Sequence, residues 1–202
     1  MTLTAAIHPT PGRFYHAVRP PEAFEALVET MLEQPALQQA LARATRIPPA
    51  AWHMSLSRTM YLKEFQVPSL VDRVREAVQR FRAGRAPGRP SRLELWPAGC
   101  RVFVNEERTC SFLAVLLGSE QNELLDLLGH VDAAVSALGH QPYYEDPAFH
   151  VSVAWAAELD AWPDEAALAA LSRLIRTAAA TDLYSDAVLV KSGPKQVSFP
   201  IG

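Results

Sequence analysis

The sequence predicts an α/β protein of the α+β type: two pseudo-symmetric lobes, each a mostly antiparallel sheet with flanking helices, around a shared groove. Three observations carry that expectation. Strand-like and helix-like segments follow the same order in both halves of the chain. Three landmarks recur at a nearly constant offset: Phe14 to Phe112, His53 to His150, and Arg101-Val102-Phe103-Val104 to Gln196-Val197-Ser198-Phe199 are 98, 97 and 95 positions apart. A third sign is a repeated local pattern of aromatic, His, apolar, Ser, apolar, at Trp52–Leu56 and again at Phe149–Val153. Self-similarity of this kind points to internal duplication. The lobes then fall at about 13–104 and 110–201 of a single domain covering 1–202.

Each element has its own local reason. Phe14–Val18 reads as a strand, after which Pro20 and Pro21 open a helix with Phe24, Leu27, Val28, Met31 and Leu32 on one face. Pro35 interrupts it, and a second short helix runs to about Ala44. The strand with His53 follows, then a helix through Leu70, Val74, Ala77, Val78 and Phe81, closed by the breakers in AGRAPGRP. Strands are expected at Arg92–Trp96, Arg101–Val104 and Cys110–Leu117. Leu124, Leu127, Leu128, Val131 and Val135 give a helix over Glu120–Leu138, which Gly139 ends. After the strand with His150, Pro163-Asp164-Glu165 provides an acidic start for a helix over Ala166–Ala179. Strands Ala187–Lys191 and Gln196–Ile201 complete the order.

Bulk properties narrow the function. At 202 residues and 49% hydrophobic, the chain buries a full core. Its net charge of −3 argues against a broad sheath of phosphate contacts along a duplex, but not against a pocket gripping one or two phosphates. No apolar run reaches the length of a membrane span, so no membrane partner is expected. The first residues, MTLTAAIHPTPG, lack the features of a signal peptide. With Asn105–Arg108 as a hairpin turn, Cys110 faces Phe103 and Cys100 faces Leu113, which keeps the two sulfurs apart as reduced thiols.

The candidate chemistry sits in YYEDPAFHVSVAW, residues 143–155. In an extended segment Phe149, Val151, Val153 and Trp155 share one face, while His150, Ser152 and Ala154 share the other. One such pair is an ordinary buried polar pair. Two in the same context, related by pseudo-twofold symmetry, present His53 and His150 to a common groove with Ser55 and Ser152 beside them. Two facing imidazoles divide proton work, one taking a proton from a nucleophile and the other giving one to a leaving oxygen. Serine hydroxyls donate to the non-bridging oxygens of a phosphate between them. RNA carries its own nucleophile, the 2′-hydroxyl, so the reaction needs no metal or other cofactor. No carboxylate or cysteine stands at ligand spacing beside either histidine, which disfavours zinc. His8, His16, His130 and His140 lack such partners.

The tetrads His53-Met54-Ser55-Leu56 and His150-Val151-Ser152-Val153 resemble the pair that defines the 2H phosphoesterase superfamily. Within it, YYEDPAFHVSVAW, VNEERTCSF at 104–112 and KSGPKQVSFP at 191–200 resemble the U6 snRNA phosphodiesterase family, from about residue 14 onward. The resemblance implies a two-lobed nuclear protein that acts without metal; a monomer is expected. It would trim the single-stranded 3′ uridine tail of U6 snRNA in the 3′→5′ direction, leaving a 2′,3′-cyclic phosphate or a 3′ phosphate. It also implies His53 and His150 as the catalytic pair, Ser55 and Ser152 as phosphate binders, and Tyr144 as the ring on which the terminal base stacks. Where the family often has Asn-Gln-Glu-Lys-Thr, this chain has Asn105-Glu106-Glu107-Arg108-Thr109. Glu106 is therefore an acceptor-only candidate contact to base or ribose, and strict uridine preference does not carry over. A 2H enzyme acting on small 2′,3′-cyclic nucleotides, and a non-catalytic RNA-binding module, are the alternatives. Nearly equivalent motifs leave acid and base unassigned; the tyrosine beside it favours His150 for the 2′-hydroxyl and His53 for the departing 5′ oxygen.

Overall fold

The computed structural model describes residues 11–16, 22–177, 183–193 and 195–202. Within them the chain is mixed α/β, with an antiparallel sheet and flanking helices. The strands are β1 (Pro11–His16), β2 (Thr45–Arg46), β3 (Met54–Ser55), β4 (Met60–Tyr61), β5 (Leu93–Val104), β6 (Ser111–Ser119), β7 (His150–Ala156), β8 (Leu183–Ser185), β9 (Ala187–Ser192) and β10 (Lys195–Pro200). The helices are α1 (Glu22–Leu32), α2 (Pro35–Leu41), α3 (Gln66–Gly84), α4 (Glu123–Ser136) and α5 (Glu165–Thr177). Positions 17–21, with the expected end of the first strand and the proline start of α1, lie outside the described residues. So do His8, Pro194 and positions 178–179 of the last expected helix.

Strand order is β10-β9-β1-β3-β7-β6-β5-β8, with β2 added to β7 and β4 to β1. β3 and β7, the two His-x-Ser strands, are neighbours at the centre, and β1 and β6 flank them symmetrically. Strands are exchanged between the segments 13–104 and 110–201. β5 pairs with β6 of the later segment, and β9 pairs with β1 of the earlier one. The position equivalent to β5 is thus held by β9, whereas the offset of 95 residues matched β5 to β10. That third landmark is a likeness of sequence without a likeness of place.

Two local expectations are corrected. The segments Arg92–Trp96 and Arg101–Val104 form one long β5, kept continuous by a register shift between Pro97 and Gly99. Gly99 has φ of +145°, a backbone setting that side chains disfavour. The β5–β6 hairpin closes between Asn105 N–H and the Cys110 carbonyl, with Arg108 in the left-handed region at φ +52°. This wider turn pairs Phe103 with Phe112 and Cys100 with Val115, two positions from the register read off the sequence. The thiols are free, Cys100 buried and Cys110 half-buried.

One hydrophobic cluster runs through both halves. On the sheet face opposite the histidines, register aligns Met54, Val151, Val115 and Cys100 on one row and Val190 with Val197 on another. Helix α1 buries the expected Phe24, Leu27, Val28, Met31 and Leu32, and Phe24 meets Trp52 edge-on with centroids 5.5 Å apart. That contact seats the residue immediately before His53. Helix α3 packs on α4 and on β9 and β10, and α5 packs on β5.

The loop joining α3 to β5 is fastened by one buried ion pair. Arg85 Nε donates to Glu123 Oε1 at 3.0 Å, and its two terminal nitrogens donate to the carbonyls of Pro90 and Arg92. The side chains are only 8% and 12% exposed. Removing one partner leaves an uncompensated buried charge, which costs about 3–5 kcal/mol. Glu123→Ala is therefore expected to lower the unfolding free energy by that amount in a urea titration; a loss under about 1 kcal/mol would show that the guanidinium finds water instead.

Candidate active site

The two His-x-Ser strands meet as an antiparallel pair in which Met54 and Val151 are opposite each other. Both are fully buried. Continuing that register sets His53 opposite Ser152 and Ser55 opposite His150. Cross-strand partners share a face, and so do residues two apart. All four polar side chains therefore project from one side of the sheet, while Met54 and Val151 anchor the other. His53, Ser55, His150 and Ser152 are each half-buried.

Each imidazole is tethered in the same way. His53 Nδ1 lies 2.9 Å from the carbonyl of Ala51, and His150 Nδ1 lies 2.6 Å from the carbonyl of Ala148. A carbonyl only accepts, so Nδ1 carries the proton in both rings. The carbonyl sits two residues before the histidine in each case, so the tether is part of the repeated motif.

Surroundings separate the two rings. His150 stacks on Phe103 with centroids 4.0 Å apart and planes 16° from parallel, and the Arg101 guanidinium lies 5.4 Å from the Phe103 ring centroid. Burial pushes the His150 imidazole below its ordinary value. The bond to Ala148 opposes this, and the positive charges of His53 and Arg101 reinforce it. The charge of His53 thus reaches His150.

Tyr144 stands at the entrance to β7, 42% exposed. Its hydroxyl donates to Glu106 Oε1 at 2.8 Å, and the Arg58 guanidinium lies 4.1 Å above its ring centroid. Arg58 also reaches the same Glu106 oxygen at 3.4 Å. Glu106, expected as a contact to base or ribose, is thus engaged by two donors of the protein. Burial first, then the Glu106 carboxylate, raises the Tyr144 hydroxyl above its usual range. The loop behind it is fixed from α4: Asp132 Oδ1 accepts the Tyr143 N–H at 2.7 Å. Tyr143 is buried, lies parallel to Phe149 at 6.3 Å, and has its hydroxyl pushed up to about 12 by burial.

The structure therefore gathers His53, His150, Ser55 and Ser152 on one surface, with Tyr144 and Glu106 joined at its margin. Sequence reading missed Arg58, Phe103 and Asp132. Arg58 follows the first motif as Ser57-Arg58, a cation next to a candidate phosphate site, and that proximity was a usable signal. Phe103 and Asp132 come from segments far along the chain, and nothing local marks them. Among the described residues no group of three or more His, Cys, Asp or Glu is placed to hold a metal ion.

Comparison with known proteins identifies a family and a shared fold. Residues 14–200 match the family model HVSL, described as "Uncharacterised conserved protein". The U6 snRNA phosphodiesterase 1 of Rattus norvegicus is 25% identical over 134 residues, covering 66% of this chain and 45% of the relative. The chain thus spans less than half the length of that relative. The structure of Kluyveromyces marxianus Usb1 superposes with a TM-score of 0.61 at 18% identity, covering 96% of this chain and 100% of that one. A second structure of that yeast protein, with uridine monophosphate, gives 0.60. At this identity the likeness establishes the fold.

An NMR titration checks the asymmetry of the two rings. His150 is expected to protonate at a pH below 6.5, and Arg101→Gln, which removes one repelling charge, to move that midpoint upward. A wild-type midpoint at or above 6.5 would mean that water reaches the ring despite Phe103.

Proposed function

The chain belongs to the HVSL family, and we propose that it is an RNA phosphodiesterase, a metal-independent 3′→5′ exoribonuclease that shortens single-stranded oligouridine ends such as that of U6 snRNA. The observation carrying this reading is the pair of imidazoles on adjoining strands, each with Nδ1–H tied to a carbonyl and each facing a serine of the other motif. That arrangement suits a phosphodiester with its own nucleophile. Support for the substrate class comes from a curated relative named U6 snRNA phosphodiesterase 1 and from a solved neighbour determined with uridine monophosphate. A nuclear site of action and a monomeric enzyme belong to the same proposal.

The bond changes are simple. His150, the ring kept neutral by burial, takes the proton of the 2′-hydroxyl of the penultimate nucleotide at Nε2. The 2′ oxygen attacks phosphorus, the bond to the 5′ oxygen of the terminal nucleoside breaks, and His53, protonated, gives that oxygen its proton. The products are a 2′,3′-cyclic phosphate on the shortened RNA and a free terminal nucleoside bearing its 5′-hydroxyl. Ser55 and Ser152 donate to the non-bridging oxygens as negative charge develops. If water enters before release, the two histidines exchange roles and a 3′ phosphate results. Tyr144 stacks on the terminal base, and Glu106 holds the tyrosine hydroxyl so that the platform keeps its angle.

Incubating the protein in EDTA with 5′-labelled oligouridine tests the reading. Stepwise shortening is expected, with His53→Ala and His150→Ala each lowering the rate by at least about a hundredfold. A 2′-deoxy sugar at the penultimate position should block the first cut. Trimming that stops on chelation, or that proceeds on the deoxy substrate, refutes the mechanism. In the same assay Tyr144→Ala should raise KM about tenfold while Tyr144→Phe stays within severalfold, because the stack is carried by the ring. The acid limb of kcat/KM should fall below pH 6.5, where His150 gains its proton.

A further inference from the structure

The face that carries the two histidines continues beyond Ser55, across the half of the sheet opposite Tyr144. We propose that RNA on the 5′ side of the cut phosphate crosses this face over β4, β1, β9 and β10, with one base stacked on Tyr61 and one phosphate paired with Lys191. The proposal rests on the nuclease reading above, since it names where the rest of that substrate lies.

Register places these residues. β3 pairs with β1 as Ser55 opposite Tyr15, and β4 pairs with the same strand as Tyr61 opposite Pro11. Positions 11 and 15 are an even number apart, so Tyr61 lies on the face of Ser55. Exposure agrees, because Met60 is 4% exposed and Tyr61 62%. Four strand residues separate the two positions, roughly 13 Å, which a short run of single-stranded RNA spans. On the far edge of β1, Lys191 is opposite position 13, and Gln196 is opposite Lys191. Both are exposed, whereas Val188, Val190 and Phe199, on the other face, are buried where α3 packs.

The chemistry favours a nucleic acid over a peptide or a lipid surface. An aromatic ring stacks any base, an ammonium takes a phosphate as a point charge, and the surface is continuous with the proposed phosphate site. Tyr144 and Glu106, which would hold the terminal nucleotide, belong to the loops around β7 and the β5–β6 hairpin. Tyr61 and Lys191 belong to the strands around β1. Each half of the sheet would then hold one side of the scissile bond. A footprint of one stack and one ion pair is also compatible with a net charge of −3.

Anisotropy with a fluorescent 2′-O-methyl uridine octamer, which has no nucleophile, tests the track directly, alongside cleavage of the dinucleotide UpU. Tyr61→Ala should weaken octamer binding about tenfold, Tyr61→Phe should bind as wild type, and Lys191→Ala should reduce the slope of log Kd against log salt by about 0.7. UpU turnover should be the same in all three variants, since UpU is too short to reach either residue. Octamer binding unchanged by Tyr61→Ala, or an equal loss on UpU, overturns the track. If the wild type binds the octamer with these sensitivities but cleaves no RNA, the nuclease reading fails and the track stands. If it cleaves UpU and trims oligouridine equally well as Tyr61→Ala, the reverse holds.

Discussion

The site depends on one backbone register, the pairing of Met54 with Val151. Both side chains are buried completely, so each strand has a single way to face the core. A slip of one residue would turn Met54 or Val151 outward and bury a histidine and a serine in its place. Burying polar groups without partners while exposing two apolar side chains costs several kcal/mol. Core packing on one side thus sets the imidazole positions on the other. The carbonyls of Ala51 and Ala148 then fix the tautomers, so the orientation of both rings follows from main-chain geometry.

Symmetry of the motifs does not extend to their surroundings. His150 lies against Phe103, delivered by a strand that crossed from the earlier segment of the chain. At the place equivalent to β5 in the other half, β9 supplies no aromatic ring to match. Burial, with the charges of His53 and Arg101 behind it, lowers the His150 imidazole below its ordinary value. The exchange of β5 and β9 between halves is therefore chemically consequential, since it brings Phe103 and Arg101 to His150.

Helical faces were the most legible part of the sequence. Phe24 to Leu32 and Leu70 to Phe81 are buried as their spacing implied, because a helix buries a stripe set by local periodicity alone. The four motif residues were legible for a similar reason, each sitting within a few residues of its partner in a repeated pattern, whereas Tyr144 was marked by the family resemblance alone. Strand partners were not. Which strand lies next to β1 depends on packing between segments nearly a whole chain apart, and no local period encodes it. Arg58 and Asp132 escaped notice likewise, since their partners, Tyr144 with Glu106 and the Tyr143 amide, come from other elements. The hairpin register was misjudged because Arg108 adopts a left-handed conformation without the glycine that normally announces it.

The exchange of strands also sets an order of assembly during synthesis. β6, β7 and β5 are consecutive or nearly so, and can pair soon after they leave the ribosome. β1 emerges first yet its outer neighbour, β9, is among the last segments made, so one edge of β1 waits unpaired through most of translation. Long-range closure of this kind is slow and leaves an edge open to wrong partners. The opposite half waits as well, because β5 gains its outer neighbour β8 only when Leu183–Ser185 has been made, so both edges of the sheet close late.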